Sequence, residues 1–536
     1  MFRSPLLLLG ILGLINACSG LTTLTLNHTY PLSLELSVQI CVGHLNRLNP
    51  NTYYTLGSQG GQFPTYAAND QFWLDTLHPS STPQNKDLLQ FLLQDCLPIL
   101  GEVIEYNYEV QREFAPQIVT ASISLYAVAI STSVETPAEL LQAIRTYNLA
   151  LNVTSEWSEL TALETVKRVF NDYASKFPTK TSVVKIDPGY KYAGDHRLES
   201  QIFEFFSDGD TTTAVYGYDD SVPLFGGDTY EAETNCIKEH NIGQVASTGV
   251  NNIQFYSSFG AIEKPLDSNP IPTITYNASK TYVAFVVGDG DNFWHLKNNH
   301  MKLFLQRLQF CTADPSTCYP MSWSIAPSAS QYMPDIINYY SDIALNTTKD
   351  YFVLPPSGSL YSYPGLMSSD VQKKYIERME GDMNIYNTRI SVHWEWFYNW
   401  RHTISTYFNS WSEYTTERTG FILANVPYLL PMFIFRLKEY RIIGENVVLF
   451  KPNEWRYSSA KQSHTTEEMG DIINGFKPGY ISPVYMTVDG SLEPIQATYD
   501  LYTEHLEEWV EVVPVECLVE LVFEKESLER GGGEKE

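Results

Sequence analysis

The feature that most constrains this chain is a repeat. From residue 273 onward an apolar strand, a loop and a helical segment recur. Candidate strands are Thr281 to Gly288, Met321 to Ala326, Tyr351 to Leu354, Arg389 to His393, Gly420 to Ala424, Val447 to Phe450 and Tyr480 to Thr487. Helical periodicity lies between them, as in Lys297 to Phe310, Met333 to Leu345 and Ser369 to Asp382. Strands that are apolar throughout are covered on both faces, and their alternation with helices implies a parallel sheet. Seven or eight such units in roughly 240 residues suit a (β/α) barrel; an open doubly wound sheet is the alternative. The expected fold class is α/β: a C-terminal (β/α) barrel-like domain preceded by a multi-part α/β N-terminal region.

The rest of the chain is organised around that repeat. Residues 1–19 read as a cleavable signal peptide, with Arg3 for charge, an apolar run from Pro5 to Ile15 and small residues at Ala17-Cys18-Ser19. The run is too short to span a bilayer, which takes about 20 apolar residues. No later stretch is longer, so no membrane anchor is expected after cleavage and the mature chain is expected to be secreted. Residues 20–175 form an N-terminal α/β region, in which Asp87 to Leu100 and Pro137 to Asn152 read as helices. Residues 176–272, rich in Gly, Asp and Thr, read as a second α/β subdomain ending in a Pro-punctuated linker. The barrel-like domain spans 273–523, and the charged, Gly-rich residues 524–536 read as a disordered tail.

Of seven cysteines, Cys18 leaves with the signal and six remain. An even number in an oxidising compartment permits full pairing. Cys311 and Cys318 bracket a short loop and are the best candidates for a local bridge; Cys517 reads equally well as a buried thiol. Asn27, Asn152, Asn277 and Asn346 begin Asn-x-Ser/Thr glycosylation sites. The formal charge of −27 disfavours nucleic acid as a partner. With 36 Tyr and 10 Trp the chain is 13% aromatic, which suits sugar faces as well as ordinary cores.

Chemistry in a parallel β/α domain sits at the carboxyl ends of strands. The first candidate strand ends in Gly288-Asp289-Gly290-Asp291-Asn292, followed by Phe293-Trp294-His295. Two nearby carboxylates push each other's pKa apart, so one serves as an acid while the other stays ionised. Asp289 and Asp291 are therefore catalytic candidates, with Asn292 and His295 as substrate contacts. The same carboxylates with His295 or His300 would suit a metal, and the plain reading is an Asp-Gly turn like Ser207 to Thr211. The third strand leads into Gly358-Ser359-Leu360-Tyr361-Ser362-Tyr363-Pro364, whose Tyr361 and Tyr363 suit a cleft lining. The fourth continues as His393-Trp394-Glu395-Trp396. If the strand persists, His393 and Glu395 share one face and Trp394 and Trp396 the other. A carboxylate beside aromatic platforms fits glycoside cleavage, so Glu395 is the third catalytic candidate; a buried Glu–His pair among core aromatics is the alternative.

The Gly358 to Pro364 string, with the Asp289 to Asn292 turn before it, resembles the family assigned as glycoside hydrolases and named for a GxGYxYP motif. Leu360 departs from it at the second glycine. Gly43-His44-Leu45-Asn46-Arg47-Leu48-Asn49-Pro50 and Asp70-Gln71-Phe72-Trp73-Leu74 are similar to the family's amino-terminal pattern. Tyr216-Gly217-Tyr218, Asn251-Asn252-Ile253 and Val510 to Leu521 extend the resemblance over most of the mature chain. It implies an α/β amino-terminal region packed on a barrel-like domain, and sugar hydrolysis. The catalytic candidates rest on physical grounds, and only Asp289 and Asp291 lie in a matching stretch. The leading expectation is a secreted glycoside hydrolase acting on extracellular glycans, with no cofactor and no metal. The alternatives are a metal-dependent carbohydrate deacetylase and a non-catalytic carbohydrate-binding or surface-coat protein; Leu360 favours the last.

Overall fold

The computed structural model describes residues 21–26, 30–56, 66–77, 84–173, 213–216, 242–245, 250–395, 399–424, 439–457, 463–488 and 491–532. Residues 1–19, read above as a signal peptide, together with Asn27, Cys236 and residues 207–211, read as a turn, lie outside them. The chain divides into two compact units, one of Met1–Val183 with Asn251–Gly260 and one of Val184–Val250 with Ala261–Glu536.

The first unit holds β1 (Thr22–Leu26), β2 (Thr52–Leu56), β3 (Gln84–Lys86), β4 (Glu102–Tyr106), β5 (Val128–Ser131) and β6 (Asn148–Asn152). They form two parallel three-stranded sheets, β2-β1-β3 and β5-β4-β6. Helix Leu32–Leu48 buries Val38, Cys41 and Val42 in a core shared with Val103, Ile104, Val128 and Ile130. Cys41 is bonded to Cys96. The expected helix from Pro137 to Asn152 stops at Ile144, and its second half is strand β6.

The amino-terminal motif residues do structural work in this unit. The Asn46 amide both donates to the Thr52 carbonyl (2.8 Å) and accepts from its N–H (3.0 Å), closing the turn between helix and strand. Asn252, at φ 62°, pairs its amide with the Tyr54 backbone at 3.0 and 2.6 Å, as a strand neighbour would. Asp70 accepts from the Asn251 amide at 2.7 Å. Buried polar groups far apart in sequence are thus satisfied by one another.

In the second unit β7 (Thr213–Tyr216) pairs β8 (Ile242–Val245). The repeat then follows: β9 (Thr281–Val287), β10 (Met321–Ser324), β11 (Asp350–Val353), β12 (Ile390–His393), β13 (Thr419–Leu423), β14 (Tyr440–Ile443), β15 (Val447–Phe450), β16 (Asn453–Arg456), β17 (Ile481–Thr487) and β18 (Val510–Val512). One parallel sheet runs β11-β10-β9-β17-β16, with β18 also on β9. The other runs β12-β13-β15-β14, with β14 antiparallel. All seven expected strands are present, and β14, β16 and β18 are additions. The expected barrel is corrected: no closed sheet forms among the described residues. A single bridge, Leu354 to Ser391, joins β11 to β12. Pro355 and Pro356 follow at once, and without N–H groups they cannot extend the ladder. At the other seam the antiparallel β14 takes the remaining edge of β15.

Both sheets nevertheless turn one face onto a common core. Tyr282, Ala284 and Val286, Ile390 and Val392, Ile422, Val448 and Phe450, and Ile481 and Tyr485 pack with Val515, Leu518, Val519 and Val522 of helix Val515–Gly532. That helix continues through Gly532, so residues 524–532 are not a disordered tail. The Tyr440 hydroxyl donates to Glu526 at 3.1 Å and Lys525 pairs with Glu439 at 3.2 Å, holding the last turns on β14. The Cys311–Cys318 bridge is formed, and Cys517 is a buried thiol 3.3 Å from the Pro272 carbonyl.

Outside that core, the fully buried Arg307 meets Asp350 of β11 at 3.0 Å, lies 4.2 Å over the Tyr319 ring and donates to the Tyr319 carbonyl. Removing one partner strands the other charge in a dry site. Asp350→Ala is expected to cost about 3–5 kcal/mol of unfolding free energy in urea, whereas a joint Arg307→Met/Asp350→Leu replacement recovers most of it. A loss under about 1 kcal/mol, the scale of an exposed ion pair, would mean that water reaches the site.

Candidate functional site

The tip of β9 is built by close approach. The strand is buried along its whole length, and Gly288 N–H still donates to the Met486 carbonyl at 2.7 Å. Asp289 then turns the chain at φ 60°. Gly290 lies flat on the end of β10, where a Cβ would sit 1.6 Å from the Ser324 carbonyl oxygen. Its N–H donates to Ser324 Oγ at 3.1 Å and its carbonyl accepts from Ala326 at 2.7 Å. Only glycine fits there, and the clamp fixes the aspartates on either side.

Asp289 Oδ2 accepts from the Val488 N–H, just beyond β17. Asp291 is half-buried; burial first, then the Asp289 carboxylate beside it, pushes its carboxyl up to about 7. Tyr485, which sequence reading missed, stands against the same turn: a Cβ on Gly288 would lie 2.6 Å from its hydroxyl. Burial, with the charges of Asp289 and Asp291, holds that phenol well above its ordinary value. Tyr485 belongs to no motif, and only its pairing opposite Val286 of β9 exposes the relation.

The residues after the turn have local partners. Asn292 Oδ1 accepts from Trp294 N–H at 2.8 Å and caps the helix that follows. His295 Nδ1 lies 2.9 Å from the Asn299 amide. His300 is fully buried, and burial lowers it to about 3. Among the described residues no group of three or more His, Cys, Asp or Glu side chains is placed to hold a metal ion.

The motif loop is organised by Tyr375. Its buried hydroxyl takes the Leu360 N–H at 3.0 Å and lies 3.0 and 2.9 Å from the Ser357 and Leu360 carbonyls. Gly358 has φ +92°, and a Cβ there would meet Met379 at 2.3 Å. Leu360, which stands where the motif has glycine, is 2% exposed and packs on Gly243 of β8, where a Cβ would lie 2.6 Å from it. The extra side chain is thus accommodated by a glycine elsewhere. Tyr361 is half-buried with its ring 5.3 Å from that of Trp394, while Tyr363 is buried. Ser357 Oγ sits 2.6 Å from the Trp394 carbonyl and 3.0 Å from its N–H, tying the loop to the end of β12.

His393 and Glu395 are fully buried and 3.6 Å apart. His393 lies among the rings of Trp400, Tyr407, Phe408 and Phe421, with centroids 4.8 to 6.2 Å away. Since Ile390 and Val392 face the common core, alternation puts His393 on the opposite, helix-covered face. Glu395 Oε2 accepts from Gly365 N–H at 2.8 Å, securing the far end of the motif loop. Trp396 lies outside the described residues. The structure therefore brings Asp289, Asp291 and Tyr485 together at one turn, and Tyr361 with Trp394 at another; Glu395 serves the loop.

A parallel α/β domain with paired carboxylates at a strand tip defines the class. Residues 279–522 match the family described as "GxGYxYP putative glycoside hydrolase C-terminal domain". A crystal structure described as a putative hydrolase from Bacteroides thetaiotaomicron shares the fold, at 15% identity and a TM-score of 0.64 over 94% of each chain. The peptidoglycan deacetylase PdaC from Bacillus subtilis aligns at 10% identity and a TM-score of 0.27, over 48% of this chain and 98% of its own. A polysaccharide deacetylase, described as putative, from Mycobacterium smegmatis aligns at 12% and 0.30, over 49% of this chain and 96% of its own. At such scores neither carries an argument. No curated protein matches.

The glycines give a direct check. Gly290→Ala is expected to destabilise by about 1–3 kcal/mol or more through overpacking. Gly381→Ala, in mid-helix with nothing within 4 Å, is expected to stabilise by about 0.5–1 kcal/mol. Thermal unfolding of both variants reads the contrast.

Proposed function

We propose that this protein is a secreted glycoside hydrolase whose proton donor is Asp291. The observation that carries the reading is a half-buried carboxyl, raised to about 7 beside a second carboxyl, at the carboxyl end of a buried parallel strand. A group with that pKa holds its proton at neutral pH and gives it to a leaving oxygen. Asp289, held by the Val488 N–H, keeps Asp291 protonated, and the Tyr361 and Trp394 rings offer the sugar a face. Glu395 is a positioning residue in this reading, because its Oε2 is committed to Gly365. The family match supports a glycan substrate. The two disulfides and the absence, among the described residues, of a helix long and apolar enough to cross a membrane fit export.

Glycosyl fluorides of the common hexoses, with oligosaccharides of the same sugars, supply the test. A fluoride leaves without protonation and an alcohol does not. Asp291→Asn is expected to slow oligosaccharide cleavage about 10²–10⁴-fold while sparing fluoride hydrolysis. Wild-type activity should fall as pH rises through about 7, where Asp291 loses its proton. Asp289→Asn removes the charge that raises that pKa, so its alkaline limb should move to lower pH. Wild-type rates for Asp291→Asn on oligosaccharides would end the assignment.

A further inference from the structure

Strand β16 carries a further carboxyl that lies in no motif. Glu454 pairs with Tyr485 across the β16–β17 ladder, and Tyr485 pairs with Val286 of β9. Ladder partners point to the same side of a sheet, and Val286 and Tyr485 belong to the common core face. Glu454 therefore lies on that face, and Arg456, two residues on and opposite Thr487, lies there too, one step nearer the strand ends. Their charged ends stand 3.5 Å apart, and both are partly open to solvent, at 22% and 30%. A structural ion pair would suit the outer surface; here it stands on the inward face, alongside the tyrosine that touches the Asp289 turn. Glu454 also figures among the charges that raise the Tyr485 phenol, after Asp289 and Asp291.

We propose that Glu454 is the catalytic base of the reaction in which Asp291 is the acid, and that the enzyme inverts anomeric configuration; this rests on the hydrolase reading above. Two strand spacings of about 4.8 Å separate β9 from β16, and Asp291 and Glu454 both act on the phenol of Tyr485, which stands on the strand between. Inverting enzymes hold their carboxyls roughly 6.5–9.5 Å apart, with a water between, whereas retaining enzymes need about 5 Å. Arg456 stands 3.5 Å from the Glu454 carboxyl. In the step, a water oxygen bonds to the anomeric carbon and Glu454 takes the water's proton. Asp291 gives its proton to the glycosidic oxygen as the carbon–oxygen bond breaks. A free alcohol and a sugar of inverted configuration leave, and solvent exchange resets both carboxyls. Tyr485, between the two, orients the water.

The measurement is hydrolysis of hexosyl fluorides of both anomeric forms, followed by proton NMR, on wild type, Glu454→Gln, Glu454→Asp and Asp291→Asn. The expected first product has the anomeric form opposite to the substrate, and Glu454→Gln is at least 10²-fold slower with an unchanged melting temperature. Added azide, which attacks without giving up a proton, should restore turnover of Glu454→Gln and yield the inverted glycosyl azide; a structural role for Glu454 predicts no rescue. A retained product overturns the proposal, as does a wild-type rate for Glu454→Gln when Asp291→Asn has lost oligosaccharide cleavage; the hydrolase reading survives both outcomes. A wild type inert on every fluoride and oligosaccharide overturns both readings together.

Discussion

The carboxyl-terminal unit depends on one packing contact, the seating of helix Val515–Gly532 against a face that two separate sheets share. Neither sheet closes on the other: a single bridge spans one seam, and at the other the antiparallel β14 occupies the free edge of β15. What joins them is apolar burial. Val515, Leu518, Val519 and Val522 fill the space between β9, β12, β13, β15 and β17, each side chain contributing about 1.5–3 kcal/mol when taken from water. Gly420 of β13 marks how close the approach is, since a Cβ there would lie 2.8 Å from Val519.

That arrangement decides where polar side chains can go. Beyond the last apolar residues of the strands the chain leaves the shared face, and polar groups gather in the turns that follow. The Asp289 turn lies there because Gly290 rests on the β10 terminus, leaving the aspartates no other exit. The motif loop is held at three points: the Tyr375 hydroxyl, Ser357 on Trp394, and Glu395 on Gly365. Of the two motif tyrosines read as a cleft lining, Tyr363 is buried and Tyr361 is half-buried against Trp394. Leu360 shows how a motif tolerates departure, for it packs on Gly243 and the loop keeps its anchors.

The linear order of residues by itself determined the parallel α/β character of the second unit, its seven main strands and the Cys311–Cys318 bridge, because apolar runs and loop length are local signals. It also marked Asn46, Asp70, Asn251 and Asn252, without saying that Asn251 holds Asp70 or that Asn46 and Asn252 hold the backbone of Thr52 and Tyr54. Tertiary structure decided the rest. Whether strands close into a barrel depends on ladders between distant segments, which Pro355 and Pro356 interrupt at one seam and the antiparallel β14 caps at the other. Which face a side chain takes depends on register: alternation from Val392 sends Glu395 toward the helices, and pairing with Tyr485 brings the unmarked Glu454 to the shared face. A strand's period of two is legible in one sequence, but the partner that gives that period an inside and an outside is not.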